Sequence, residues 1–342
     1  MEVSRREGCE MTKLSVGKIR GLQQISTPEG VFTMCAMDHR GSLKAMIEKE
    51  QLDDNVDYQE LVEHKLELCS TLAPHVSAVL LDPNYGAAQC ITGGVLPGYT
   101  GLLISIEATG YESDPQGRIT TLLDGWSVEK IKRMGGSAVK ILVYYRPDLA
   151  EVASKQLKTI QMVAKDCLQY DIPFLVEPKT YATEGEDTKS SHFSTRKPSL
   201  VIETARQVTS LPIDVLKAEF PADIEYETNR EKLLQFCQQL NEASQVPWVI
   251  LSAGVDYETF REEVKIACRA GASGFLGGRA IWQEAIHFAD KKERVKFLST
   301  TVADRLKELA EIAAKYAVPW YRKFGIEANN LTVIQENWYR SY

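Results

Sequence analysis

The 342-residue sequence holds no CxxC pair, no basic run, no long apolar stretch and no closely spaced histidines. Each absence argues against a class of protein. Seven cysteines (Cys9, Cys35, Cys69, Cys90, Cys167, Cys237, Cys268) are scattered and odd in number. That usage fits reduced thiols in a cytoplasm rather than a disulfide framework or a structural zinc site. Five histidines (His39, His64, His75, His192, His287) show no HxxxH or HxH spacing, so no metal and no cofactor is expected. Net charge is −7 without clustered Lys and Arg, which disfavours nucleic acid as a partner. No window approaches the ~18 consecutive apolar residues of a membrane span, and the charged N-terminus lacks the apolar core of a secretory signal. A cytoplasmic protein with no membrane partner is expected.

What is present is a recurring pattern. Hydrophobic residues make up 44% and charged residues 25%, enough for a large core. Eight short apolar, β-branched segments recur: Val31–Asp38, Val76–Pro83, Gly101–Ala108, Ala138–Tyr145, Ile172–Tyr181, Ile213–Pro221, Pro247–Gly254 and Gly271–Ala280. Amphipathic runs such as Asp57–Leu72, Val152–Gln169 and Tyr257–Ala270 lie between them. Buried strands alternating with helices indicate a parallel sheet. Eight repeats over this length favour a closed (β/α)8 TIM barrel over an open sheet, and no GxGxxG follows the first strand. One barrel domain over 1–342 is expected, with an N-terminal extension (1–20) and a C-terminal helical closure (290–342) that reads as long helices. Thr183–Pro198, polar throughout, reads as an exposed loop after the fifth strand.

In such a barrel the chemistry sits at the C-terminal strand ends. Those ends carry Asp38-His39-Arg40, Asp82, Glu107, Lys140, Glu177, Lys217, Ser252-Ala253-Gly254 and Gly277-Gly278-Arg279. Two lysines and a glutamate thus project from strands four, five and six, although an unpaired buried charge costs several kcal/mol. Lys217, in "IDVLKAEFP", attacks a carbonyl only as the neutral amine; burial and a second ammonium, Lys140, lower a lysine pKa. Glu177 can shuttle the protons. The plainer alternative is a buried ion-pair network of Lys140, Glu177 and Glu219, with Lys217 snorkelling from an edge strand. Small residues and Arg279 at the last two strand ends suit a phosphate, or else are tight turns with a structural arginine. Glu107 and Lys179 either touch substrate or face water. Cys35, Trp126 and Trp282 read as packing residues.

Together the motifs resemble the class I tagatose 1,6-bisphosphate aldolase family, whose relatives include sulfofructose-1-phosphate aldolases. The resemblance rests on "AMDHRGSLKAMI" (Ala36–Ile47), "LLDPNYG" (Leu80–Gly86), "AVKILVYYRPD" (Ala138–Asp148), "LVEPKTY" (Leu175–Tyr181), "DVLKAEFP" (Asp214–Pro221), "LSAGV" (Leu251–Val255) and "GGRAIW" (Gly277–Trp282), in order along nearly the whole chain. It implies cleavage of a ketose 1,6-bisphosphate to dihydroxyacetone phosphate and an aldehyde. By the same resemblance Lys217 forms the Schiff base, Glu177 moves protons, Lys140 is the neighbouring cation and Asp38 holds a reacting hydroxyl. Ser252, Gly254, Gly278 and Arg279 would hold the C1 phosphate, and His39 with Arg40 the distal anion. His39 stands where the family has glutamine, Ala108 where it has lysine and Lys179 where it has leucine, which bears on the aldehyde half of the substrate. A fructose-bisphosphate or sulfosugar aldolase, a pyridoxal-phosphate barrel and a non-catalytic sugar-phosphate regulator are the competing readings. The expected partners are a phosphorylated sugar and, by analogy with other barrels, further copies of the same chain.

Overall fold

The computed structural model describes residues 14–51, 55–114, 116–340 and 342. Eight parallel strands close into a barrel in which sequence order is spatial order. They are β1 (Phe32–Ala36), β2 (Ala78–Leu81), β3 (Gly101–Ser105), β4 (Ala138–Tyr144), β5 (Phe174–Lys179), β6 (Val215–Ala218), β7 (Trp248–Leu251) and β8 (Gly274–Gly277). Each lies within one of the eight segments expected from the sequence. The seam joins β1 to β8 with Phe32 opposite Gly274, whose φ of +132° and contact with the Phe32 carbonyl leave no room for a Cβ.

Strand alternation sorts the residues into two sets. Ala138 of β4, Leu175 of β5 and Val215 of β6 point inward and join Phe32, Met34, Leu80, Leu103, Val249 and Leu276 in the barrel interior. Val139, Ile141, Val176 and Leu216 point outward against the helices. The helix Val16–Ile25 closes the N-terminal end, where Leu22, Ile25 and Trp320 cap the interior cluster. At the next inward level, two residues on, the apolar filling stops and Lys140, Glu177 and Lys217 appear. An apolar plug at one end therefore supports a charged layer at the other.

Two expectations about the connecting segments need adjustment, and one small element joins them. The polar stretch after β5 is not loop throughout: a helix runs from Ser191 to Val208 and contains Pro198. Its start is built by Ser190, whose hydroxyl accepts the Phe193 N–H at 3.1 Å, while Phe193 itself is buried. Between β3 and β4 lies a small hairpin, Glu112–Asp114 with Gly117–Ile119. At the C-terminus Lys291–Phe297 and Ala303–Tyr316 are helical, joined by a π-turn, and the latter packs on the helix Tyr257–Arg269. Beyond the short helix Trp320–Lys323 the chain forms turns, not long helices. Cys9 and most of the expected N-terminal extension lie outside the described residues; the other six cysteines are buried free thiols. Among the described residues no helix is long and apolar enough to cross a membrane.

Candidate active site

The charged layer floors a cavity of about 320 Å³ at the C-terminal ends of the strands. Its acidic lining is Asp38, Glu107 and Glu177; its basic lining is Arg40, Lys140, Lys179, Lys217 and Arg279. An acidic protein thus carries a cavity with more basic than acidic groups, which suits an anionic ligand.

Parity places the central groups. Lys140 follows Ala138 by two residues on β4, Glu177 follows Leu175 on β5, and Lys217 follows Val215 on β6, so all three face inward. Lys217 Nζ lies 2.9 Å from Glu177 Oε2, and Lys140 Nζ lies 3.1 Å from the same oxygen. Lys140 also reaches Asp38 Oδ2 at 2.8 Å and Glu107 Oε1 at 2.7 Å. Three carboxylates thus surround one ammonium. Burial alone would push the Lys140 pKa down, but Asp38, Glu107 and Glu177 outweigh it and hold it well above the usual lysine value. Burial would likewise raise Asp38 and Glu177, yet the two lysines hold both below the ordinary carboxylate range. Lys140 is therefore a fixed cation, and Lys217, which among the described residues contacts a carboxylate only through the shared Glu177 oxygen, is the less encumbered amine.

Glu107 resolves into a cavity residue. It is buried, and its Oε2 has no hydrogen-bond partner among the described residues. The sequence signal was parity, since Leu103, Ser105 and Glu107 share a face of β3 and its extension. Lys179 lines the cavity mouth, 3.5 Å from Glu219 Oε1. Glu219 stays with Lys179 and the Thr180 N–H and takes no part in the Lys140 cluster. Asp82 does not line the cavity; it is fully buried against Lys65 at 2.6 Å.

The turn after β1 forms the opposite wall. Arg40 donates to Glu107 O at 2.9 Å and to Asn84 Oδ1 at 3.3 Å, neutral partners, and pairs with no carboxylate among the described residues. His39 packs edge-on to Trp282, ring centroids 5.2 Å apart, and its Nδ1 is buried without a hydrogen-bond partner among the described residues. Burial first, then the nearby Arg279, Lys65 and Lys217 charges, push its pKa down to about 3, so the imidazole is neutral. Trp282 donates to Ala36 O at 3.0 Å and Trp126 to Ser105 O at 3.2 Å, so both indoles are tied to strand backbones. Cys35 is buried and its thiol is pushed up to about 12 by burial.

The ends of β7 and β8 meet where small residues were expected. The Gly278 N–H donates to Ser252 Oγ at 3.3 Å. Ala253 and Gly254 both adopt positive φ, +46° and +83°, folding the turn back toward Arg279. A Cβ on Gly254 would lie 3.3 Å from Arg279 Nη2, and one on Gly278 would lie 2.8 Å from His39 Cε1. Both glycines keep this corner open beside the guanidinium.

Residues 32–284 match the model of the DeoC/LacD family aldolases. The chain belongs to this aldolase family. A tagatose 1,6-diphosphate aldolase of Enterococcus faecalis is 32% identical over 329 residues, covering 92% of this chain and 99% of its own. One from Staphylococcus aureus is 33% identical over 324 residues, covering 90% and 98%. The aldolase also shares its fold with a solved Schiff-base-forming fructose-1,6-bisphosphate aldolase, at TM-score 0.55 and 18% identity over 86% of this chain and 98% of the other. A fructose-bisphosphate aldolase from Slackia heliotrinireducens matches at TM-score 0.60 and 12% identity, covering 98% and 99%.

Proposed function

We propose that this class I aldolase reversibly cleaves a ketose 1,6-bisphosphate, tagatose 1,6-bisphosphate in the first instance, to dihydroxyacetone phosphate and glyceraldehyde 3-phosphate through a Schiff base on Lys217. The observation that carries the reading is the Glu177 oxygen shared by Lys217 at 2.9 Å and Lys140 at 3.1 Å inside the cavity. Glu177 takes a proton from Lys217 as the ketose enters, freeing the amine. The amine adds to the C2 carbonyl, and Glu177 protonates the carbinolamine oxygen, which leaves as water to give the iminium. Asp38 holds the C4 hydroxyl and takes its proton as the C3–C4 bond breaks. The bonding pair flows into the iminium to form an enamine, and the aldehyde departs. Protonation at C3 and hydrolysis of the new iminium then release dihydroxyacetone phosphate and restore Lys217.

Ser252, Gly254, Gly278 and Arg279 receive the C1 phosphate, and Arg40 with His39 the distal anion. Arg40 and Arg279, neither salt-bridged to a carboxylate among the described residues, stand at different walls of the cavity and support a substrate with two anionic ends. The same reading takes the enzyme to be cytoplasmic, where charged sugar phosphates are retained, and a homo-oligomer, to be checked by light scattering.

The decisive experiment is borohydride reduction with dihydroxyacetone phosphate followed by peptide mass spectrometry. A reduced adduct on Lys217 is expected; a folded, ligand-bound protein with no adduct would leave a sugar-phosphate-binding role instead. A panel of tagatose, fructose and 6-sulfonated substrates then identifies the distal group.

A further inference from the structure

One buried charge pair takes no part in the chemistry above yet grips its machinery. β1 leaves the barrel ladder at Met37, whose N–H still bonds to Leu80 O at 2.8 Å. Beyond that point no backbone N–H among the described residues reaches Met37 O or His39 O. Buried carbonyls need donors, and here the donor is a side chain. Lys65, from the helix Tyr58–Leu72, bonds through Nζ to Met37 O, to His39 O at 2.6 Å and to Asp82 Oδ1 at 2.6 Å. An ammonium has three protons, and all three are used. Lys65 is 1% exposed and Asp82 0%. Asp82 is in turn held at the end of β2, where its Oδ2 accepts the Tyr85 N–H at 2.8 Å.

The two gripped carbonyls belong to the residues on either side of Asp38, the carboxylate that meets Lys140 at 2.8 Å. We infer that Lys65, backed by Asp82, is a positioning residue that sets the Asp38–His39 turn and acts on the reaction through Asp38. An apolar pair would fill the same volume without the desolvation penalty of two buried charges, and such replacements are often neutral for stability. It would offer the two carbonyls nothing. The ammonium does what the next N–H of a longer β2 would do, but from a helix behind the barrel, so the turn is freed from the ladder without being freed from restraint. This inference rests on the Schiff-base reading only for the reaction it measures.

The test is the double substitution Lys65→Met with Asp82→Asn. Both charges leave together, and asparagine still accepts the Tyr85 N–H. Displacing a reacting group by ~1 Å costs about 100-fold, so kcat is expected to fall by about that factor. KM should change far less than kcat: the same turn carries His39 and Arg40, but the C1 phosphate corner is left in place. Borohydride should still trap dihydroxyacetone phosphate on Lys217. In an Asp38→Asn background the double substitution should add no further loss, since the carboxylate it positions is gone. An unchanged kcat, a loss confined to KM, or a full additional loss on top of Asp38→Asn overturns the inference. So does a double variant that fails to fold, which assigns the pair to stability alone. Wild-type enzyme that forms no adduct sinks the Schiff-base reading instead, while the turnover of the variants still reports on Lys65.

Discussion

β6 carries a charged group at each end, and the two serve opposite purposes. Just before the strand, Asp214 pairs with Lys18 at 2.8 Å and accepts the Phe174 N–H at 2.8 Å, with both side chains almost fully buried. Three residues later Lys217 meets the carboxylate of Glu177, shares its oxygen with Lys140 and borders a cavity. The lower site is closed: one cation and one anion, backed by a backbone donor. The upper site is left open: Glu107 Oε2 and His39 Nδ1 are buried with no hydrogen-bond partner among the described residues. An unsatisfied buried polar atom is expensive, and at the upper site the substrate can supply the missing bonds. The contrast separates a charge pair that fastens helix to barrel from a charge cluster kept ready for a ligand.

Four substitutions break or sharpen the contrast. The largest effect belongs to Lys217→Ala, expected to lower kcat by about 10⁴-fold or more while the melting temperature holds or rises. Wild-type turnover in a coupled assay would end the Schiff-base mechanism. Glu177→Gln keeps the shape but not the proton, so kcat should drop by about 10²–10⁴. Slow borohydride trapping at Lys217 should persist; a variant that turns over normally would move proton transfer to another group. At the lower end Lys18→Met leaves Asp214 buried without its cation and should cost about 3–5 kcal/mol in denaturant unfolding. Its kcat should stay at the wild-type value, because the pair lies about 10 Å of strand below Lys217. A large fall in kcat of the folded variant would show that the two ends are not independent.

The smallest effect sharpens the rule that a buried carboxyl wants an ammonium. Glu263, buried with Oε2 unpartnered, has its pKa pushed up to about 8 by burial, against 4.5 for a free glutamate. The unfolded chain gives up that proton from about pH 4.5 and the folded chain only near pH 8, so this group's contribution to stability falls across that window and levels off above it. Glu263→Gln removes the slope. Its melting temperature relative to wild type should rise between pH 5 and pH 8, and parallel melting curves across that range would refute the assignment.

Much of the upper site was legible in the sequence because charge inside an apolar strand is rare enough to stand out. Lys140, Glu177 and Lys217 were visible that way, and Ser252, Gly254, Gly278 and Arg279 by their place at the last two strand ends. Strand positions followed from runs of Val, Ile and Leu that hardly fit any other element. Glu107 stayed undecided because one acid at a strand end looks the same whether it faces in or out; only its parity with Leu103 distinguishes the cases. Lys65 gave no signal, since it lies in an amphipathic helix where lysine is ordinary and its burial depends on distant carbonyls. The helix from Ser191 was hidden for a similar reason: its first turns are polar, and a serine cap resembles a loop. Local pattern reports what a residue is, while these cases turn on what arrives beside it from elsewhere in the chain.

The glycine seam has a consequence for how the enzyme comes into being. Because strand order follows sequence order, β1 has no second neighbour until β8 arrives, and the two meet at Gly274 against the Phe32 carbonyl. Asp38 and His39 lie on one side of that joint and Gly278 and Arg279 on the other. A chain still emerging from the ribosome therefore holds Lys217, the proposed nucleophile, long before both sides of the cavity are in place. On the proposed mechanism activity is expected only once the last strand docks, and a chain truncated before residue 274 should carry Lys217 as an idle lysine.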